Sequence, residues 1–165
     1  MESRAKVAGH PLHPMLITFP LGLLPTAFLF DLIALASGSR VWSLVAFYMM
    51  GAGIVGALIA AVPGAIDWLA IPSRTRAKRI GTYHGVGNVV VLLLFATAWF
   101  LRRNVPEMPP TTSLVLAFLG IALALVTGWL GGELVDRLGV GVDDGANLDA
   151  PSSFSHEPAS RPARP

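Results

Sequence analysis

Two histidines, His10 and His13, stand three residues apart just before a long apolar run that starts at Met15. An imidazole at the edge of a membrane span can bind a metal ion or haem iron, or it can carry protons. Lipid-facing positions have no use for an imidazole, because ionisable side chains are costly against lipid. The two histidines are therefore a candidate site, provided that other polar side chains fall at the same depth.

Further polar side chains are predicted at the same end of the apolar segments. Asp67 follows a Pro-Gly break after the second segment, His84 opens the third, and Glu133 and Asp136 close the fourth. With a rise of ~1.5 Å per residue, all of them fall within about two helical turns of one membrane face. Asn88 shares a helical face with His84 and lies about 6 Å deeper, where its amide needs a polar partner.

This set of side chains permits a metal or haem site. Neutral imidazoles with one or two carboxylates suit Zn, Fe or Mn, and two imidazoles on facing helices suit haem iron. We predict His10, His13 and His84 as ligands, with Asp67 and Asn88 holding them by hydrogen bonds. The cofactor is then haem or a divalent transition metal, and the function is that of a redox-linked membrane domain.

Other interpretations stay open. His13 can simply cap the first helix, Asp67 can pair with Arg74 or Arg76, and the carboxylates after the fourth segment can reach water. Asp31, near the other end of the first segment, is expected to be an interface carboxylate that also reaches water. The chain is then a non-catalytic membrane interaction subunit or a conductor of protons or small solutes. No nucleophile elbow, P-loop or H-E-x-x-H motif occurs, so no catalytic residue is predicted and enzymatic activity stays open.

Composition predicts the fold class. The chain is 53% hydrophobic and only 13% charged, whereas a soluble domain carries about 25% charged residues. Four apolar segments, at 15–36, 41–62, 84–101 and 113–132, each approach the ~20 residues that a helix needs to cross a bilayer. We predict an all-α integral membrane four-helix bundle at 1–142 and a disordered cytoplasmic tail at 143–165, with His156 a solvated bystander. The first segment is too long for a cleaved secretory signal. The absence of cysteine excludes thiolate ligands and disulfides within the chain.

The basic residues predict the orientation. Most lie before the first segment, between the second and third, and after the fourth, so both termini are expected to face the cytoplasm from the inner (plasma) membrane. This pattern explains the sequence pI near 9.5 without a nucleic-acid partner. The predicted partners are the lipid bilayer, a redox protein or other membrane subunits.

Small residues recur every four positions in two of the segments. They are Ala52, Gly56, Ala60 and Gly64 in the second, and Gly120, Ala124, Gly128 and Gly132 in the fourth. Such stripes let helix backbones approach closely in lipid, and we predict that each forms a packing groove. The G-x-G-x-x-G at 51–56 lies inside a membrane segment rather than after a strand, which argues against a nucleotide site. Beyond two spans each, the halves of the chain show only vague similarity.

Motifs distributed over residues 8–142 resemble the DUF2231 family of predicted membrane proteins. They are Gly9-His10-Pro11-Leu12-His13-Pro14, Phe19-Pro20, Leu29-Phe30-Asp31, Asp67-Trp68, Ile71-Pro72, His84, Asn88, Gly131-Gly132, Leu134-Val135 and Gly139-Val140-Gly141-Val142.

The resemblance implies four spans, and since some members are fused to a Rieske iron–sulfur domain, it also implies electron transfer near the membrane. Relatives often carry histidine where this chain has Glu133, so a scheme that needs a fourth imidazole does not transfer. The positions carried over are His10, His13, Asp67, His84 and Asn88. No ligands are visible at the outer side for a second haem, so electrons are not expected to cross the bilayer through this chain alone.

Overall fold

The computed structural model describes residues 1–155 and is built almost entirely from helices. In chain order the elements are β1 (Lys6–Val7), β2 (His10–Pro11), α1 (Leu12–Leu16), α2 (Thr18–Ser37), α3 (Arg40–Ala70), α4 (Arg76–Arg102), α5 (Thr111–Gly132) and a π-helical turn (Glu133–Arg137). Residues 143–155 contain neither helix nor strand. The rest of the predicted tail, with His156, lies outside the described residues.

Four helical segments are long and apolar enough to span a membrane, which confirms the predicted fold class. They are Leu12–Ser37, Arg40–Ala70, Arg76–Arg102 and Thr111–Arg137, with mean hydropathies of 1.9, 2.1, 1.8 and 2.3. Their outward surface is lined with large apolar side chains, as a lipid-facing surface requires. Both ends of the described chain meet at one end of the bundle, where Lys6 pairs with Asp143 at 2.6 Å.

The helices extend beyond the predicted segments at the end that carries the histidines. The predicted break at Pro63 is wrong, since α3 continues seven residues further to Ala70. Proline removes one main-chain donor, and membrane helices tolerate this when neighbouring helices support the bend. His84 likewise does not open its helix but lies eight residues inside α4, which begins at Arg76. Hydropathy marks the apolar part of a helix and misses the polar turns that continue it.

The first span is interrupted at Ile17, between α1 and α2. Pro20 explains the interruption, because it has no N–H to donate to the carbonyl of Leu16, one turn earlier. Pro25, in contrast, is accommodated within α2. The short helix α1 carries His13.

The spans pack as two helical hairpins, α2 with α3 and α4 with α5, around a common apolar core. The buried core residues come from all four spans: Leu24, Ala27, Ala46, Met50, Val91, Phe95, Ala98 and Ala117. The predicted groove of α3 is confirmed at two glycines, because a side chain at Gly56 would meet Phe19 and one at Gly64 would meet His13. The predicted groove of α5 is confirmed at Gly120 but not at Gly128 or Gly132.

In α5, Gly120 packs against Phe95, whereas Gly128 and Gly132 have nothing within 4 Å of an added Cβ. These two glycines therefore contribute no close helix contact within the described part of the chain. The spacing of four residues per repeat drifts around an α-helix with 3.6 residues per turn, which takes the later members off the buried face.

Candidate functional site

His13 and His84 face each other at one end of the bundle, which we call the histidine end. Their ring centroids are 6.4 Å apart and their planes are nearly perpendicular, at 89°. His13 lies on α1 and His84 on α4, so the two imidazoles come from different hairpins. Two of the three predicted ligands are therefore brought together by the folded bundle.

The His13 ring is fixed by the neighbouring helix α3. Its Nδ1 lies 2.8 Å from the main-chain oxygen of Ala60, and since a carbonyl only accepts, Nδ1 carries the proton and donates it. Gly64 makes room for the ring, because an added Cβ there would lie 2.8 Å from Nδ1. Among the described residues, Nε2 makes no hydrogen bond. In the neutral imidazole this nitrogen is the one with an available lone pair.

His84 is fixed in the same way by α5. Its Nδ1 lies 2.8 Å from the main-chain oxygen of Thr127, so Nδ1 again donates. An added Cβ at Gly131 would lie 3.1 Å from Cε1 of the ring. The two histidines are therefore held in the same way. His13 donates to the carbonyl of Ala60 and rests against Gly64, four residues after Ala60. His84 donates to the carbonyl of Thr127 and rests against Gly131, four residues after Thr127.

Asn88 completes the surroundings of His84. Its Nδ2 lies 3.1 Å from Nε2 of His84 and donates a second bond of 2.9 Å to the main-chain oxygen of His84. The amide oxygen of Asn88 accepts from the Thr127 hydroxyl at 3.0 Å. The polar partner that Asn88 was predicted to need is therefore Thr127, on another helix. Sequence reasoning missed Thr127, although a threonine within an apolar span was the available signal.

His10 is not part of this pair. It lies on the β1–β2 hairpin, is exposed, and has Ser153 Oγ 3.4 Å from its Nε2. The helix begins at Leu12, so His13 lies on it and His10 does not. Within residues 1–155, no group of three or more His, Cys, Asp or Glu side chains is arranged to hold a metal ion.

Asp67 holds the N-terminal segment to the end of α3. Its carboxylate accepts from the Ser3 hydroxyl at 2.7 and 2.9 Å, and from the main-chain N–H groups of Arg4 at 2.7 Å and Ala5 at 3.3 Å. The alternative that Asp67 pairs with an arginine of the following loop is wrong. Since α3 runs on past Pro63, the carboxylate reaches the chain that leads into α1.

Glu133 is paired rather than wetted. Its carboxylate accepts from Arg76 at 2.5 Å, and its side chain is only 16% exposed. The ion pair joins the start of α4 to the π-helical turn after α5. The expectation of a solvated Glu133 is therefore wrong, whereas Asp136 is exposed as expected.

Asp31 is buried at the opposite end, which we call the arginine end. Arg102 donates two bonds to the carboxylate, of 2.6 and 2.8 Å, and both side chains are 0% exposed. Arg102 also donates to the main-chain oxygens of Ser43 and Pro106. The prediction that Asp31 reaches water is wrong, because the arginine of another helix satisfies it inside the bundle.

The fold and the site define a multi-span helical membrane protein with a histidine pair held between its two hairpins. The model of the family described as "Predicted membrane protein (DUF2231)" matches residues 9–144. The chain therefore belongs to the DUF2231 family. No curated protein and no solved structure matches it.

Proposed function

We propose that the protein binds haem iron, or another metal centre that takes two imidazoles, between His13 and His84. The observation that carries this proposal is that each Nδ1 donates to a main-chain carbonyl. Metal-binding histidines typically donate their other ring nitrogen in this way, which fixes the tautomer and orients the ring. Sites of this kind are commonly built between the helices of a bundle.

Haem is favoured over a bare metal ion by the number of ligands. A structural or catalytic zinc takes three or four protein ligands, and the described residues offer no such cluster. Haem needs only one or two from the protein. The ring centroids lie 6.4 Å apart, so His13 and His84 are the two residues that would hold the iron, which would supply redox chemistry at this end of the bundle.

The other candidate residues receive supporting roles in this proposal. Asn88 holds His84 and has a second acceptor, the main-chain oxygen of His84, so it keeps one bond when Nε2 is engaged elsewhere. Asp67 holds the segment that leads to α1, and this helps to position His13 on that helix. His10, on the exposed hairpin, is assigned no ligand role and serves as a matched control.

The test is an absorption spectrum and elemental analysis of protein purified in detergent from haem-supplemented cells. We expect a Soret band that His13→Ala and His84→Ala each weaken or shift, because each variant removes one of two imidazoles, with His10→Ala unchanged. Correctly folded protein with neither haem nor stoichiometric metal refutes the proposal, and so does a loss in His10→Ala as large as in the other two.

Proton or solute conduction is the second candidate, supported by the chain of polar groups from His13 through His84 and Asn88 to Thr127. Against it, the buried side chains between the two ends of the bundle are apolar, among them Leu24, Met50 and Phe95. A pathway across the membrane needs polar groups or water along its length. Liposome flux that responds to His84→Ala supports conduction, and flux that is unchanged removes it.

The positions of the basic residues support an orientation in the inner membrane in which the histidine end faces the cytoplasm. Because the chain has no cysteine, single cysteines introduced at Ser73 and Glu107 report their side of the membrane without background. We expect only the cysteine at position 107 to react with an impermeant reagent from outside.

Crosslinking in the same membranes tests for a redox partner or a neighbouring subunit. Recovery of the protein only as a monomer counts against both.

A further inference from the structure

The buried positions of the first span recur in the third. In α2 the buried residues include Pro20, Leu24, Ala27 and Asp31. Shifted by 71 positions, these become Val91, Phe95, Ala98 and Arg102, which are all buried in α4. The two helices therefore bury the same face, with the same spacing, although only one of the four residue types is identical.

The second and fourth spans repeat in the same manner. In α3 the buried residues include Ala46, Met50, Gly53 and Ala60. Shifted by 67 positions, these become Ser113, Ala117, Gly120 and Thr127, which are the buried residues of α5. The first hairpin thus matches the second, and the vague similarity of the two halves is a regular repeat.

Individual contacts repeat as well. Gly53 rests against Leu24 in the first hairpin, and Gly120 rests against Phe95 at the same two positions of the second. The seats of His13 and His84 correspond in both the carbonyl and the glycine. Between the hairpins, Phe28 packs on Phe118, and the corresponding positions, Trp99 and Gly51, are also in contact.

Two of the corresponding pairs touch each other, which locates a pseudo-two-fold axis. His13 faces His84 at one end, and Asp31 binds Arg102 at the other. In a two-fold arrangement only residues near the axis meet their own equivalents. Each hairpin has an even number of spans, so both run in the same sense and the axis lies along the membrane normal, as in parallel-repeat membrane proteins.

We propose that the two hairpins form a dimer-like interface within one chain and that Asp31 and Arg102 select its partner. Near the axis, a hairpin that paired with the same hairpin of a second copy would bring two Asp31 or two Arg102 side chains together. Both arrangements bury like charges without a partner, whereas the intrachain arrangement buries a hydrogen-bonded ion pair. The ion pair therefore directs each hairpin to the opposite hairpin rather than to an identical one.

The first test is a charge swap in the full chain. Asp31→Arg and Arg102→Asp should each remove most of the monodisperse protein, and the double swap should restore at least half of it. Restoration is expected because Arg102 donates to the main-chain oxygen of Ser43, and the repeat places the main-chain oxygen of Pro110 at the corresponding point for an arginine at position 31. Arg103→Asp, at an exposed neighbour, should have no effect. A double swap as damaged as the single variants overturns the two-fold contact.

The second test addresses partner choice in a variant that keeps the side-chain shapes. Asp31→Asn with Arg102→Gln removes both charges, and two differently tagged copies are expressed together. We expect the two tagged copies of the neutral variant to co-purify in an amount several-fold larger than the two tagged copies of the wild-type chain. The reason is that pairing between identical hairpins no longer buries charge. Co-purification unchanged from the wild type overturns the role of the ion pair in selecting the partner.

Discussion

The glycine that seats His13 gives the sharpest test of the histidine geometry. In Gly64→Ala the added Cβ would lie 2.8 Å from Nδ1 and 2.9 Å from Cε1 of the His13 ring. The ring has no easy retreat, because its Nδ1 donates at 2.8 Å to the carbonyl of Ala60 on the same helix. The overlap is expected to cost about 1–3 kcal/mol, and loss of the hydrogen bond adds about 1 kcal/mol.

Two other glycines provide a graded comparison. In Gly131→Ala the closest approach to His84 is 3.1 Å, so we expect a smaller loss of about 1–2 kcal/mol. In Gly128→Ala nothing lies within 4 Å of the new methyl group, and stability should be unchanged or slightly higher. The predicted order of destabilisation is therefore Gly64, then Gly131, then Gly128.

The assay is thermal unfolding of the detergent-solubilised variants, with circular dichroism as the signal that is recorded. A loss of about 2–4 kcal/mol lowers Tm by several degrees in a domain of this size. Because the chain has only four histidines, a nitrogen-15 histidine spectrum also reports directly on the Nδ1 hydrogen bond of His13. A Gly64→Ala protein as stable as Gly128→Ala, with the His13 signal unmoved, would refute the close contact.

Two further predictions concern the polar contacts around the pair. Thr127→Val removes the hydroxyl that donates to Asn88 at 3.0 Å, so thermal unfolding should show a stability lower by about 1 kcal/mol. An unchanged stability would contradict the importance of this hydrogen bond. Asp67→Asn weakens the bonds to Ser3 and the main chain, so hydrogen exchange at residues 3–5 should become faster. Asp136→Asn, at an exposed position, is the control, and equal exchange in the two variants contradicts the anchoring role.

The spans and the depth of the histidines were predictable because they depend on properties summed over many residues. Mean hydropathy over a segment changes little when one residue is misjudged, so four spans emerge whatever the details. The placement of His13 and His84 at the same end follows from the alternating direction of the spans. What hydropathy did not supply were the helix ends, since polar turns such as those around Asp67 and before His84 continue a helix without being apolar.

The pairings of the polar side chains were not predictable, because they depend on which helices are neighbours. Asp31 and Arg102 are 71 positions apart, and each looks like an ordinary interface residue in its own segment. Thr127 was overlooked for the same reason, since its role appears only when α5 lies against α4. The repeat is hidden in the sequence because it preserves burial and spacing rather than residue identity.

The two ends of the pseudo-two-fold axis explain why one pair is identical and the other is not. At the histidine end each Nδ1 is satisfied by a carbonyl of its own hairpin, so two identical rings can face each other without competing for a bond. At the arginine end the contact is direct, at 2.6 Å, and two identical charged side chains would supply only donors or only acceptors. Two related helices can therefore carry identical residues where the side chains face each other without bonding, and must carry unlike residues where the side chains bond directly.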